Sequence, residues 1–216
     1  MKSQRRPRHD PATTKALILD AVERLMLEEG YASVTSRRVA AQAGVLPALV
    51  QYHFPTTDEM LVATYRRTTE VNFESLQATL LSEDPLRAMW SLQSDPTHTA
   101  LAMEFMALAN HRKMIKAEIA DYAKRSRSAK AAALAKLMDK SGIDPAICPP
   151  LCASALMVAI GRTLITEEAV GISLGHDEVR QFVEWVLGRM RGKATASKTR
   201  VSKPKRQLGA VRRKRT

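Results

Sequence analysis

Apolar residues recur every three or four positions along almost the whole chain, and this spacing is the feature that most constrains the fold. Such a period places apolar side chains on one face of an α-helix, whereas a half-buried strand requires strict alternation, which no run shows. The first stretch begins at Asp10 and Pro11, a capping residue followed by a proline suited to the first helical position. It stops at Gly30, which is expected to take the left-handed conformation at the helix end. The sequence predicts an all-α protein.

Similar start and stop signals divide the rest of the chain into helices. A connector over 31–34, expected to be extended, precedes a helix over 36–43 that has Thr35 or Ser36 as its cap and ends at Gly44. The later predicted helices span about 45–54, 57–80, 86–93, 96–110, 112–140, 151–170 and 177–191. This pattern predicts two short helices joined by a tight glycine turn, followed by a bundle of longer helices.

The positive charge is confined to the two ends of the chain. The net charge is +12, yet 192–216 holds ten Lys or Arg and no acid, and 1–9 holds four and none, which leaves 20 basic and 22 acidic residues between them. Both ends contain few large apolar residues, so we expect a disordered basic arm over 1–10 and a disordered basic tail over 192–216. The arm is placed to reach a minor groove, and the tail is expected to raise general DNA affinity.

Several classes of protein are disfavoured by what the sequence lacks. The longest apolar stretch, 151–165, is interrupted by Arg162 and is shorter than the ~20 residues of a membrane span, so a soluble cytoplasmic protein is expected. Cys148 and Cys152 are expected to be reduced and packed; a thiol sensor or half of a metal site is the alternative. No cofactor and no metal are predicted. The chain has no phosphate-binding glycine loop, no paired histidines and no recognisable nucleophile, so we expect no enzyme.

The segment 34–54 carries the functional prediction. Its apolar residues form a seam that faces inward, and Ala40 allows close approach of the two short helices around Gly44. Residues left at the outer face or rim are Arg37, Arg38, Pro47, Ala48, Gln51, Tyr52 and His53. Guanidinium, amide, phenol and imidazole groups suit phosphates and base edges, and a short helix fits a major groove about 12 Å wide. We expect Arg37 and Gln51 to contribute most, and Arg38 to be solvated or paired.

The first sixty or so residues resemble the DNA-binding domain of the TetR family of regulators. The resemblance rests on a threonine and basic residues followed by Ala40, Ala43-Gly44-Val45, Tyr52-His53-Phe54-Pro55 and Asp58-Glu59-Met60-Leu61. It implies a helix-turn-helix over 36–55, within a DNA-binding domain over 11–73. It implies that DNA is approached by Arg37, Pro47, Ala48, Leu49, Gln51, Tyr52 and His53. Two departures are Leu46, where the family has a small polar residue, and Thr57, where it has a lysine that contacts phosphate.

The resemblance also implies that 74–191 binds a small effector and forms a homodimer through 151–170 and 177–191. The apolar effector pocket is predicted from Met and aromatic residues: Met89, Trp90, Met103, Phe105, Met106, Met114, Tyr122 and Met157. Polar contacts are expected from His98, Asn110 or His111. The predicted function is a repressor released from a palindromic operator by this effector. The alternative is an architectural DNA-binding protein that acts through its basic ends.

Overall fold

The computed structural model describes residues 10–141 and 143–190, and within them it contains only helices, which confirms the all-α prediction. Most of the basic arm and all of the basic tail lie outside the described residues. The α-helices are α1 Pro11–Glu29, α2 Ser36–Ala43, α3 Pro47–His53, α4 Thr57–Leu80, α5 Pro85–Gln93, α6 Pro96–Ala109, α7 Lys113–Ser141, α8 Pro150–Glu168 and α9 His176–Met190. The helices after α4 agree with the predicted spans to within two residues.

The helix starts follow the predicted capping chemistry. The Asp10 carboxylate accepts a hydrogen bond from the Thr13 amide at 2.9 Å, and the Thr35 hydroxyl accepts one from the Arg38 amide at 3.3 Å. These side chains satisfy amide groups that have no partner within the helix. Thr56, rather than Thr57, caps α4.

The segment after α1 differs from its prediction. Residues Tyr31–Ser33 form a 3-10 helix instead of an extended connector, and Gly30 has φ 78° and ψ 164°, which is a positive φ outside the left-handed helical region. The Tyr31 amide donates a hydrogen bond to the Glu104 carboxylate of α6 at 2.7 Å. This distant partner helps to set the direction in which the chain leaves α1.

Two apolar clusters hold the helices together. The first cluster contains residues of α1, α2, α3 and α4 together with Leu101, Phe105 and Leu108 of α6. The second contains residues from the end of α4, from α5, from the later part of α7 and from α9. Helix α4 contributes Tyr65 to the first cluster and Leu76 to the second. The predicted domain boundary between 73 and 74 therefore falls inside a continuous helix, and it stays a prediction.

Helices α8 and α9 expose large apolar side chains. Leu151, Leu156, Phe182 and Trp185 are 57%, 52%, 57% and 57% exposed. By length and composition α8 is apolar enough to cross a membrane, and 22% of its most apolar stretch of 18 residues is buried inside the protein. This helix is longer than the apolar stretch 151–165, so length alone does not exclude a span. One chain leaves this apolar surface uncovered.

Candidate nucleic-acid interface and ligand cavity

The turn between α2 and α3 has the geometry that its glycine predicts. Gly44 has φ 67° and ψ 24°, in the left-handed helical region, and the Val45 amide donates to the Ala40 carbonyl at 3.0 Å. A residue with a Cβ is disfavoured in this conformation, whereas glycine adopts it freely. The turn therefore ends α2 abruptly and lets α3 begin three residues later at Pro47.

The inner faces of α2 and α3 are fixed by a buried seam. Val39 and Val50 are fully buried, Ala40 is 1% exposed, and Phe54 is 4% exposed. Because Val50 and Phe54 are four residues apart, they anchor one side of α3 against the core. The opposite side of α3 must then face the solvent.

The predicted DNA-contacting residues lie on or beside this solvent-facing side. Those classed as exposed are Arg37, Pro47, Ala48, Leu49, Gln51 and Tyr52, whereas His53 and Thr57 are half-buried. Tyr52 is 78% exposed, so it does not belong to the core, and its ring meets that of His53 edge-on at 5.3 Å. Their roles toward DNA stay predictions.

The two neighbouring arginines of α2 differ in their contacts. Arg38 binds the Glu29 carboxylate at 2.5 Å, in agreement with its predicted pairing. Arg37 is exposed, and no ion pair is recorded for it within the described part of the chain. This exposure is compatible with the expected contact of Arg37 with DNA, which stays a prediction.

Other residues at this face modify the expected surface. Leu46 is the N-cap of α3, makes no capping hydrogen bond, and is 59% exposed. Thr57 is the first residue of α4, and it is shorter and uncharged compared with the lysine that the resemblance leads one to expect there. Lys15 of α1 was not predicted; it is exposed, and its Nζ lies 5.8 Å from the centre of the Phe54 ring. It adds a cation beside the end of α3.

A cavity of about 190 Å³ lies among α4, α5, α6, α7 and α8. Its apolar lining includes Leu76, Leu92, Met106, Ile119 and Val158. Its polar lining includes Tyr65, Asn72, Gln93, His98, Tyr122 and Ser126, and its cations are Arg127, Lys130 and Arg162. No carboxylate side chain of the described residues lines it.

The cavity contains few of the side chains that were expected to form the pocket. Met106, Tyr122 and His98 line it. Met89, Trp90 and Met157 pack into the second apolar cluster instead, and Phe105 is 1% exposed in the first. Met103 and Met114 are 40% and 51% exposed and do not line the cavity. Asn110 and His111 are also exposed and also lie outside it. Residue type alone does not specify which helix face points inward.

Lys130 is the unusual group in this cavity. It is 5% exposed, and burial together with the charges of Arg127 and Arg162 lowers its pKa to about 8. Burial also raises the pKa of Tyr65 and Tyr122. Sequence reasoning missed Lys130, although Tyr122, Ser126 and Lys130 follow one another at intervals of four residues, which places them on one face of α7.

Helix α6 connects the cavity to the helices that carry the predicted DNA-contacting face. Thr99, Ala102 and Met106 line the cavity, while Phe105 on another side of α6 meets the Tyr65 ring at 4.9 Å. The hydrogen bond from Tyr31 to Glu104 links the same helix to the 3-10 helix that follows α1. A displacement of α6 would therefore change both the cavity wall and the contacts with Tyr31 and Tyr65.

Comparison with known proteins agrees with this geometry. Residues 18–64 match the family model described as bacterial regulatory proteins, tetR family. The HTH-type transcriptional regulator BetI of Rhizobium meliloti is 27% identical over 128 residues, which are 55% of this chain and 63% of BetI. The chain thus spans less than two thirds of that relative.

Solved structures share the fold. A protein from Saccharomonospora viridis, determined in complex with choline, aligns with a TM-score of 0.68 at 22% identity over 82% of this chain and 96% of its own. A TetR transcription regulator from Haloarcula marismortui aligns with a TM-score of 0.65 at 18% identity over 83% of this chain and 97% of its own. At these identities the likeness shows the fold alone.

Proposed function

This chain belongs to the tetR family of bacterial regulatory proteins, a family of regulators and not of enzymes, and on that premise we propose that it is a DNA-binding transcriptional repressor. The observation that carries the proposal is the solvent-facing side of α3, which presents Gln51 and Tyr52 while Val50 and Phe54 anchor the other side. A helix is about 10–12 Å across, which suits a major groove about 12 Å wide. Arg37 supplies a cation at the edge of this reading surface.

A homodimer is the second part of the proposal. The apolar side chains exposed on α8 and α9 support it, because a large uncovered apolar patch is unfavourable in water and a second copy would cover it. Two-fold symmetry would present two copies of α3 to successive major grooves, which predicts a palindromic operator. Molar mass from light scattering checks this: a Trp185→Glu variant should be monomeric, and a wild-type monomer would refute the dimer.

Release from DNA by a small molecule is the third part. The cavity lies against α4 and α6, and Glu104 of α6 accepts a hydrogen bond from Tyr31, two residues after α1 ends. The choline complex of the S. viridis protein supports small-molecule binding by this fold. A ligand that favours one position of α6 would change the spacing of the two reading helices, provided it binds that state more tightly.

The central experiment measures binding of the full chain to its own upstream DNA. Gln51→Ala and Arg37→Ala should each weaken specific binding by about fivefold to a hundredfold, since a good base contact contributes about 1–3 kcal/mol. Gln77→Ala, on an exposed site of α4 away from α3, is the matched control and should bind like the wild type. A chain ending at Arg191 should lose affinity for all sequences alike, with a flatter salt dependence.

The opposite pattern would favour the architectural alternative. If Gln51→Ala and Arg37→Ala leave specific affinity unchanged while removal of the residues after Arg191 abolishes binding, the helix-turn-helix is not the reader. The basic tail would then be the main DNA-binding element.

A further inference from the structure

We propose that the cavity binds a small organic carboxylate with an apolar body, and that Lys130 supplies its principal counter-charge. This inference rests on the proposed function, because it specifies the chemical class of the effector. It differs from the apolar effector expected from the sequence, and it also differs from the choline bound by the S. viridis protein.

The cations of the cavity lack an internal partner. Lys130 is 5% exposed, and within residues 10–141 and 143–190 no hydrogen bond or ion pair is recorded for it. Arg127, which is exposed, and Arg162, which is half-buried, line the same cavity, and no ion pair is recorded for either in that part of the chain. Burying a charge is costly unless an opposite charge or hydrogen bonds compensate it. An anion from solution would supply that compensation to Lys130, and the two arginines would add to its attraction.

The remaining lining indicates what the anion carries. Leu76, Ile119 and Val158 provide apolar contacts, which an inorganic anion would leave unused. The side-chain oxygen of Asn72 is buried and has no hydrogen-bond partner among the described residues, so a ligand hydroxyl would find an acceptor there. The cavity therefore fits a molecule with a charged end and an apolar body.

Size and charge together restrict the ligand. A cavity near 150 Å³ accepts benzene, so a volume of about 190 Å³ suits a molecule somewhat larger than one aromatic ring, such as benzoate. Choline would also fit by size, but its positive charge would face Lys130, Arg127 and Arg162 with no lining carboxylate. Like charges brought together in a poorly hydrated site repel strongly. Charge, more than volume, should decide the specificity.

The test compares acids with their amides, because each pair has nearly the same shape and differs in charge. Benzoate and benzamide, phenylacetate and phenylacetamide, and hexanoate and hexanamide are titrated into the full chain at neutral pH by calorimetry and ligand-observed NMR, beside choline and inorganic phosphate. We expect at least one acid to bind about tenfold or more tightly than its amide, as one charge-assisted hydrogen bond would produce.

Two variants assign the preference to its residue. Lys130→Met keeps the length of the side chain and removes the charge, so the preference for the acid should disappear. Lys136→Met, at an exposed position of the same helix, should retain it. The proposal is overturned if an amide, choline or phosphate binds as tightly as the best acid. It is equally overturned if no acid binds in the millimolar range, or if Lys130→Met retains the preference.

DNA binding without ligand separates this inference from the proposed function. A wild-type chain that binds its upstream DNA specifically but shows no preference for acids would overturn the ligand class alone. A chain that prefers acids but does not distinguish its upstream DNA from random DNA would overturn the regulator and leave the cavity chemistry standing.

Discussion

Replacing Lys130 by Met should make the ligand-free protein more stable. Lys130 is 5% exposed, and its pKa falls from the usual 10.5 to about 8 because of burial and the charges of Arg127 and Arg162. At about 1.4 kcal/mol per pKa unit, the charged form of this lysine costs about 3 kcal/mol of folding free energy near neutral pH. Met has a similar length and no charge, so Lys130→Met should recover much of that free energy.

The difference in stability between the wild type and Lys130→Met should depend on pH, because the pKa of Lys130 is lower in the folded chain than in the unfolded chain. Above about pH 8 the folded chain releases the Lys130 proton, whereas the unfolded chain keeps it until about pH 10.5. The wild type should therefore gain stability relative to Lys130→Met as the pH rises through this window. About 2 kcal/mol of the advantage of the variant should be lost between neutral pH and about pH 9.5.

Urea unfolding of both chains at several pH values measures this difference, with the unfolding slope checked for constancy. Lys136→Met, which removes an exposed lysine from the same helix, should change the stability by less than about 0.5 kcal/mol at any pH in the range. If Lys130→Met is no more stable than the wild type near neutral pH, or if its advantage does not shrink at higher pH, Lys130 is not buried as a costly charge.

Three further predictions concern packing, protonation and coupling. Gly161→Ala should lower the free energy of unfolding by about 1–2 kcal/mol, because the added Cβ would lie 2.6 Å from the Gln93 carbonyl oxygen, whereas Gly188→Ala meets open space within the chain and should not destabilise it. Thermal unfolding compares the two; equal effects would contradict the close approach of α8 to α5. His176→Gln should destabilise the protein more near pH 6 than near pH 8.5. A hydrogen bond to Glu167, aided by one to Glu168, raises the pKa of His176, so its stabilisation is complete at low pH and lost as the pH rises through that higher pKa. Denaturant unfolding at both pH values checks this, and a pH-independent loss would count against it. Glu104→Ala removes the acceptor for the Tyr31 amide, so the ligand-induced loss of DNA affinity should be reduced about fivefold or more in a binding titration. An unchanged ligand response would show that α6 acts by another route.

The exposed face of α2 and α3 could be predicted from the sequence because its determinants are local; its contact with DNA stays a prediction. Thr35 caps α2, Gly44 takes the left-handed conformation, and Val50 with Phe54 anchors α3 through a spacing of four residues. Each of these depends on residues within a few positions of one another. The outward side of α3 then follows from helical geometry.

The lining of the cavity depends on long-range packing, which local sequence patterns do not contain. Its wall combines Asn72, Gln93, Met106, Lys130 and Arg162 from five helices, so its composition depends on how those helices cross. The sequence determined where helices begin and end, because caps, glycines and periodicity act over one or two turns. Only the tertiary structure decided that a lysine of α7 lines the cavity and that most of the methionines expected there do not, because the crossing of the helices selects which faces meet.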